Sequence, residues 1–232
     1  MSWDPIPKPA EVAETRLLEA ILDGSFPINS ALPGERDLAA QIGVTRPTLR
    51  EALQRLARDG WLDIQHGKPT RVRDYWREGS LAVLATLARF PAQQSPNFVA
   101  YLLEIRLLLA PAYTRQALAY ASTEISELLR QADQLQEDPA AFAQFDWQLH
   151  YQLTQSAENP VFRLLLNNFE QTYGVMAERY FAFTECRQHS RGYYAALLTC
   201  TENKDLDAAE ALTHETMQGS LVLWQRLQGE SE

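Results

Sequence analysis

The sequence predicts a mainly α protein in two parts: three helices with a β-hairpin, then an all-α antiparallel bundle of about seven helices. Two observations support this fold class. Apolar residues recur at helical spacing through most of the 232 residues. Strand-like segments occur only in the short stretch that follows Asp59-Gly60. We therefore predict a first domain over residues 1–76, a linker to about residue 79, and a second domain over residues 80–232.

The first part begins with three short helices, predicted at Pro9–Asp23, Glu35–Ile42 and Arg46–Arg58. A loop rich in proline and turn-forming residues separates the first two, and Gly43 turns the chain tightly between the second and the third. Thr45 is placed to cap the third helix. Residues at i, i+3, i+4 and i+7 form the buried stripe of this helix, namely Leu49, Ala52, Leu53 and Leu56.

Two short strands, Trp61–Gln65 and Thr70–Arg73, flank the turn sequence His66-Gly-Lys-Pro. Three helices followed by such a hairpin make a winged helix-turn-helix. Arg46 and Arg50 lie four residues apart near the start of the third helix, away from its buried stripe, where arginine donates two hydrogen bonds to guanine in a major groove. The first part is therefore predicted to bind double-stranded DNA.

The net charge of −9 excludes a general polyanion-binding surface, but the charge is unevenly distributed. Residues 1–77 contain 11 basic and 11 acidic side chains, whereas residues 78–232 contain 10 basic and 19 acidic ones. Within Pro33–Arg73 there are 8 basic and 5 acidic residues. DNA contact is therefore expected to be confined to a few arginines in this segment.

The motifs Leu32-Pro-Gly-Glu-Arg-Asp-Leu-Ala and Gly43-Val-Thr-Arg-Pro-Thr-Leu-Arg-Glu-Ala-Leu-Gln-Arg-Leu resemble the GntR family of bacterial regulators, and the run from Leu53 to Thr70 resembles its FadR subfamily. The resemblance is dense over residues 25–73 and thinner beyond. It implies that the arginines Arg36, Arg46 and Arg50 contact DNA. It also implies phosphate and minor-groove contacts for Thr45, Thr48, His66, Gly67 and Lys68. Pro47 departs from the pattern, since a close relative has threonine there.

The same resemblance carries functional expectations. FadR-like proteins bind palindromic operators as homodimers, act as repressors of fatty-acid degradation genes, and are often activators of unsaturated fatty-acid synthesis genes. They leave DNA when a long-chain acyl-CoA binds. The expected partners of this chain are thus operator DNA, a second copy of itself and long-chain acyl-CoA as effector, without a resident cofactor.

The sequence pattern predicts helices throughout the second part. Asp138, Asn159 and Asp205 are each placed as helix caps, the first two directly before a proline. The predicted helices span about 79–90, 96–120, 123–136, 139–157, 160–182, 185–202 and 205–228. A bundle of this kind can leave an apolar tunnel between its helices, which would shelter a fatty tail.

Arg106 is unusual because it lies in an otherwise apolar helical run that begins at Tyr101. It either pairs with a nearby carboxylate or acts as a charged anchor or relay within the ligand domain. FadR-like proteins have an arginine at the matching place, and their pocket residues match Tyr180, Ser220 and Trp224. Arg226 is a candidate for a CoA phosphate, whereas Met217 replaces a glycine of the subfamily.

A rival interpretation is metal binding. Many helical domains of the wider family hold a metal through an Asp, a His four residues later and two further histidines, and they sense small carboxylic acids. Asp146 and His150 have that spacing and share a helix face. The later positions hold Tyr194 and about Met217, and the only nearby substitute, His214, lies about one turn early. A structural Asp146–His150 contact is therefore favoured over a metal site.

Other classes of protein are not indicated. The sequence contains no nucleophile elbow, phosphate loop or paired acid–base signature, so an enzyme acting on acyl-CoA is disfavoured. Its apolar runs are far shorter than the roughly 20 residues of a membrane span, and its start lacks the features of a secretory signal. Cys186 and Cys200 make no disulfide framework. These features predict a cytoplasmic protein.

Overall fold

We describe the protein from a computed structural model over residues 7–90 and 97–229. The chain divides into two compact units, Met1–Gln93 and Gln94–Glu232. Both contain the kinds of element expected, so the predicted fold class is confirmed. The predicted domain boundary near residues 76–80 remains a prediction.

The first unit contains the expected three helices and hairpin. The helices are α1 (Pro9–Leu22), α2 (Glu35–Ile42) and α3 (Arg46–Asp59), and the strands are β1 (Leu62–Asp63) and β2 (Arg71–Val72). The strands pair antiparallel, with Leu62 opposite Val72, and Arg71 makes a further bridge to Ala31. Each strand is shorter than predicted, because only two residues of one strand pair with two residues of the other. The rest of the hairpin is a loop.

The local signals explain how α2 and α3 are placed. Gly43 ends α2 in the left-handed conformation, with φ +76°, which an L side chain rarely adopts. Thr45 is the N-cap of α3, and its hydroxyl accepts a hydrogen bond from the Thr48 amide. The predicted apolar stripe of α3 is buried, and α1 packs against it. This packing leaves the opposite side of the first turn of α3 exposed.

After the hairpin, the chain forms two short helices, α4 (Tyr75–Glu78) and α5 (Leu81–Ala88). The first was not predicted, since four residues are too few to show a helical period. Its Tyr75 ring packs at a tilt against the buried Trp61, with ring centroids 4.6 Å apart. Gly79 is required directly after it, because a Cβ there would lie 2.2 Å from the Tyr75 carbonyl oxygen.

The regular elements that the structure describes in the second unit are all helical, and short loops join them. Its elements are α6 (Phe98–Leu129), a 3-10 turn (Arg130–Gln134), α7 (Pro139–Ser156), α8 (Pro160–Asn167), α9 (Glu170–Phe181), α10 (Thr184–Asn203) and α11 (Leu206–Gly229). Asp138, Asn159 and Asp205 accept hydrogen bonds from backbone amides two or three residues later, at 2.9–3.0 Å. These three predicted caps are therefore confirmed.

One predicted helix break in this unit is confirmed and one break was not predicted. The predicted helices 96–120 and 123–136 meet at a kink within α6, where Ala121 has non-helical angles, with φ −136° and ψ 37°. The predicted start at residue 96 lies outside the described residues. Conversely, the predicted helix 160–182 is divided between α8 and α9, because the Asn168 side chain bonds the Leu164 carbonyl at the end of α8.

The core of the second unit lies around α6, which packs against α7, α10 and α11, while α7 also packs against α9. Most fully buried side chains here are aliphatic or aromatic, such as Phe142 and Phe181. Asp146 and His150 are exceptions, with exposures of 0% and 1%. No helix in the described ranges is long and apolar enough to cross a membrane.

Candidate functional site

The first unit presents an exposed cationic surface at the start of α3. The side chains of Arg46 and Arg50 are 57% and 60% exposed, and that of Arg36 on α2 is 85% exposed. The structure therefore brings the three predicted DNA-contacting arginines to the surface of one unit. We call Arg36, Arg46 and Arg50, with Glu35, the arginine face.

Within the arginine face, the Glu35 carboxylate pairs with both arginines of α3, Arg46 and Arg50. Its Oε2 atom lies 2.7 Å from Arg50 Nε and 3.9 Å from Arg46 Nη2. Beside it, the hydroxyls of Thr45 and Thr48 are 2.8 Å apart and form a hydrogen bond. Glu35 was not predicted from sequence, since the spacing of α2 and α3 does not show which carboxylate approaches which arginine.

The tip of the hairpin is also exposed, including His66, Gly67 and Lys68. Gly67 has φ +75°, so the turn favours glycine at this position. The Lys68 ammonium donates a hydrogen bond of 2.8 Å to the Gln65 side chain. A small turn with one cation at its tip is suited to phosphate or a minor groove. These assignments remain predictions.

The second unit contains an apolar cavity between α6, α7, α8 and α9. It has about 890 Å³ of empty space, part of which is open to solvent. Because this figure includes space open to solvent, the enclosed part that a ligand could fill is smaller. Aliphatic and aromatic side chains form most of its wall, among them Leu103, Leu109, Phe162, Leu166, Phe169 and Met176. The polar side chains on the wall include Arg106, Tyr113, His150 and Tyr173.

Arg106, the charged side chain on this wall, belongs to a buried hydrogen-bond network with Asp146, His150 and three tyrosines, which we call the Arg106 network. Its Nη2 atom lies 2.8 Å from Asp146 Oδ2 on α7, and its Nη1 atom donates to the Tyr173 hydroxyl at 3.1 Å. Nη2 also bonds His150 Nε2. Asp146 accepts further hydrogen bonds from the hydroxyls of Tyr173 and Tyr194, the latter at 2.8 Å. The carboxylate is thus neutralised and fully hydrogen-bonded within the protein.

Burial and charge together set the protonation of the Arg106 network. Burial alone would lower the pKa of Arg106, but the nearby Asp146 carboxylate outweighs it, and the pKa lies above its ordinary value. Burial likewise would raise the pKa of Asp146, yet Arg106 and the hydrogen-bonding groups keep it below its usual range. Burial, reinforced by the Arg106 charge, lowers the pKa of His150 to about 3. At neutral pH the network is one ion pair with a neutral imidazole.

The tautomer of His150 follows from its partners. Because a guanidinium only donates, His150 Nε2 must accept from Arg106, which leaves the proton on Nδ1. That Nδ1–H then donates to the Tyr113 hydroxyl, 2.7 Å away. Both imidazole nitrogens are therefore engaged within the protein.

The Asp146–His150 pair bears on the metal interpretation. Asp146 Oδ1 lies 3.8 Å from His150 Nε2, and Arg106 bonds to both residues. The carboxylate and imidazole lone pairs that would bind a metal are directed at the guanidinium instead. Tyr194, at one of the later ligand positions, donates to the same carboxylate, and His214 is exposed.

The predicted ligand residues divide into two groups. Arg106 and Tyr180 line the cavity. Trp224 on α11 packs against Tyr180, with ring centroids 6.2 Å apart, and Ser220 lies one turn earlier on the same helix and is buried. Neither of these residues, nor the exposed Arg226, is among the described residues that form the cavity wall. The five assignments remain predictions.

Three residues of the Arg106 network were not predicted as its members from sequence: Tyr113, Tyr173 and Tyr194. A signal existed, since a buried arginine in an apolar helix requires a carboxylate and acceptor groups. Asp146 was noticed only for its spacing to His150. The tyrosines come from three different helices, so no local pattern in the sequence links them.

Both parts of the chain match known protein families. Residues 9–72 match the description "Bacterial regulatory proteins, gntR family", and residues 73–231 match "FadR C-terminal domain". The chain belongs to the GntR family and carries a FadR-type C-terminal domain. The junction of the two matches follows the second strand of the hairpin. The resemblance to this family is therefore confirmed.

Curated relatives of this GntR-family chain are named fatty acid metabolism regulator protein. The one from Shewanella pealeana is 40% identical over 94% of this chain and 92% of its own length. The one from Cronobacter sakazakii is 38% identical over 95% and 92%, respectively. The chain is accordingly a transcription regulator of the GntR/FadR type, a class whose members bind DNA.

Solved structures support the fold of this GntR-family chain. Lar, which controls expression of the Listeria monocytogenes agr system, superposes with a TM-score of 0.66. The match covers 97% of this chain and all of Lar at 16% sequence identity. At that identity the likeness concerns the fold alone.

Proposed function

We propose that this chain is a homodimeric regulator of fatty-acid metabolism that binds a palindromic operator and is released by long-chain acyl-CoA. The observation that carries the proposal is the apolar cavity between α6, α7, α8 and α9 in a FadR-type domain. The relatives named above supply the link to fatty-acid metabolism. Since operators lie on the bacterial chromosome, the proposal places the protein in the cytoplasm.

The cavity fits the hydrocarbon part of the proposed ligand. Its wall is mostly aliphatic and aromatic, so burial of a fatty tail there removes apolar surface from water at both partners. Its charged group, Arg106, is already paired with Asp146 and so carries no uncompensated charge that would require a ligand carboxylate. For the thioester and CoA end we propose contacts with Tyr180, Ser220, Trp224 and Arg226.

The DNA half of the proposal rests on the arginine face and the hairpin tip. Arg46 and Arg50 extend from the first two turns of α3, where side chains reach base edges in a major groove. The amides at this helix start, with Thr45 and Thr48, suit phosphates. Two copies would place two such helices on the two halves of a palindrome.

Release of DNA would follow from ligand occupancy of the cavity. A tail that enters between α6, α7, α8 and α9 shifts these helices, and the shift alters the spacing of the two DNA-binding units in the dimer. A ligand can move this equilibrium only by its differential affinity for the two states. Acyl-CoA must therefore bind the DNA-free form more tightly, with a coupling of about 1–3 kcal/mol.

The metal-dependent alternative is less consistent with the site. Asp146 and His150, which would supply two ligands, are bonded to Arg106 instead. A metal bound there would lie close to the positive charge of Arg106, which would repel it. A regulator that senses a metal-bound carboxylic acid is therefore not our preferred function. Elemental analysis of protein purified without chelator would revive that alternative if it found stoichiometric zinc or nickel.

Fluorescence anisotropy tests the proposal. A labelled duplex from a fatty-acid gene promoter is titrated at fixed salt with and without oleoyl-CoA. We expect tight binding that low-micromolar oleoyl-CoA reverses and that CoA alone does not. DNA binding that ignores oleoyl-CoA would contradict the ligand half of the proposal and leave the DNA half standing.

A cavity variant makes this test specific. Ala177 on α9 lines the cavity, so Ala177→Phe should fill it and weaken the response to oleoyl-CoA at least tenfold while DNA binding persists, on the order of the 1–3 kcal/mol typical of pocket discrimination. Val175→Phe is the control, since Val175 lies on the same helix but is exposed. Equal responses from the two variants would place the ligand elsewhere.

A further inference from the structure

Glu35 is the acidic residue within the arginine face. It is the first residue of α2, directly after the N-cap Gly34, and its side chain reaches the start of α3. One carboxylate oxygen approaches both arginines there, at 2.7 Å from Arg50 Nε and 3.9 Å from Arg46 Nη2. A negative charge at the centre of a DNA-binding surface weakens phosphate binding, so its presence requires an explanation.

The geometry of the closer pair suggests one. A guanidinium donates five hydrogen bonds in a planar fork. Glu35 engages the Nε edge of Arg50 and leaves the hydrogens of the two terminal nitrogens free for another partner. Bidentate recognition of guanine uses two parallel donors of this kind. Arg50 is therefore restrained along one edge before DNA arrives, which reduces the rotamer freedom lost on binding.

The charge has a second effect. Non-specific binding depends almost entirely on attraction between cations and phosphates. A carboxylate beside Arg46 and Arg50 opposes this attraction to phosphates whatever the DNA sequence. On a duplex with the recognised sequence, base contacts by the oriented arginines offset the binding free energy that is lost in this way. An acidic group at this position therefore weakens non-specific binding more than specific binding.

We infer that Glu35 is a specificity-determining positioning residue, which orients Arg50 and Arg46 toward base edges and suppresses sequence-independent binding to phosphates. It acts through the two arginines and need not touch DNA itself. This inference rests on the proposed DNA-binding function of the arginine face. It adds a residue that the predicted DNA contacts did not include.

Glu35→Gln tests the inference, because it keeps the shape of the side chain and removes its charge. Two labelled duplexes are used: one selected by the wild-type chain from a random-sequence pool, and a shuffled duplex of equal length and composition. Glu35→Gln should lower the ratio of the two affinities by about two- to fivefold, mainly through tighter binding of the shuffled duplex, which is the range that an exposed ion pair supports.

Glu51→Gln is the matched control. Glu51 is an exposed carboxylate on α3 that pairs with Arg55 at 2.6 Å, so its removal makes the same change in net charge. We expect it to change both affinities alike and to leave their ratio unaltered. A second control places Glu35→Gln in an Arg50→Ala background, where the effect of the substitution on the ratio should largely disappear.

The outcomes distinguish a failure of the positioning role of Glu35 from a failure of the proposed DNA-binding function. An unchanged ratio in Glu35→Gln, an equal effect of Glu51→Gln, or a full effect in the Arg50→Ala background would overturn the positioning role. A wild-type chain that enriches no duplex from the pool would instead overturn the proposed DNA-binding function, and the inference with it. Thermal melts of each variant confirm that the fold is retained.

Discussion

A guanidinium in an apolar helix is stable only when its charge is matched, and Arg106 meets this condition through residues of α7, α9 and α10. Asp146 supplies the opposite charge, and Tyr173 and Tyr194 satisfy the remaining acceptor capacity of the carboxylate. Of the two roles expected from sequence, the ion pair is present. Because the same side chain also lines the cavity, the second role as an anchor or relay remains a prediction.

Removal of Arg106 should be strongly destabilising. Arg106→Ala leaves the Asp146 carboxylate buried without its counter-charge, which costs about 3–5 kcal/mol in the free energy of unfolding. The double variant Arg106→Ala with Asp146→Ala should cost less than the sum of the single variants. Urea denaturation measures these values.

The control for Arg106 is an exposed pair on the same unit. Arg130 and Glu202 lie 2.7 Å apart, with exposures of 55% and 48%. Arg130→Ala should therefore change the free energy of unfolding by no more than about 1 kcal/mol. Similar losses for Arg106→Ala and Arg130→Ala would contradict the buried network.

His150 predicts a pH dependence of stability. Its folded pKa is lowered to about 3, below the ordinary value of 6.5, so the unfolded chain binds more protons between these values. Its contribution is complete above pH 6.5 and is lost as the pH falls toward 3. At pH 5 the loss should be about 2 kcal/mol relative to pH 7.5.

Comparison with His150→Gln isolates this effect from other titrating groups. Denaturation curves at pH 7.5 and pH 5 should show a smaller decrease in the variant than in the wild type. If both proteins lose the same free energy of unfolding between these pH values, His150 does not have a depressed pKa.

At the scale of elements, two glycines within helices differ in whether close packing between helices requires them. Gly192 on α10 has open space where a Cβ would lie, whereas a Cβ at Gly219 on α11 would lie 2.8 Å from the His189 ring. That ring is held by a hydrogen bond between His189 Nε2 and the Thr216 carbonyl oxygen. The close approach of α10 and α11 at this point therefore depends on glycine.

Two alanine substitutions should thus have opposite signs. Gly192→Ala should raise the free energy of unfolding by about 0.5–1 kcal/mol, because alanine loses less backbone entropy in a helix. Gly219→Ala should lower it, because the His189 ring must move. Thermal denaturation of both variants is the measurement, and stabilisation by Gly219→Ala would show that His189 yields without cost.

The same scale shows where element boundaries were predictable. Capped starts such as Asp138-Pro139 and Asn159-Pro160 were located from sequence, since one side chain and one proline define them. The kink at Ala121 also falls in the gap between the predicted helices 96–120 and 123–136. The break after Asn167 was missed, because Asn168, whose side chain bonds the Leu164 carbonyl there, is only a weak breaker in sequence.

At the scale of the whole molecule, the proposed function makes a reciprocal prediction. If oleoyl-CoA weakens binding of the operator by some factor, saturating operator must weaken binding of oleoyl-CoA by the same factor. Isothermal titration of oleoyl-CoA into the protein, with and without the selected duplex, should give a ratio equal to that from anisotropy. Unequal factors at the same salt would exclude a simple two-state coupling.

The sequence by itself determined the parts of the protein that depend on neighbours along the chain. These are the helix periods, the caps, the hairpin that follows Gly60, and the motif around Arg46 and Arg50 that identified the family. The reason is physical: capping, turn formation and amphipathic spacing act over four or so residues and can be read directly from their order.

Only the tertiary structure decided which distant side chains meet. The Arg106 network joins residues as far apart as Arg106 and Tyr194, and the pairing of Glu35 with Arg50 joins α2 to α3. The apolar cavity also arises from the packing of four helices. Charge pairing, burial and empty volume depend on three-dimensional distance, which the order of residues does not contain.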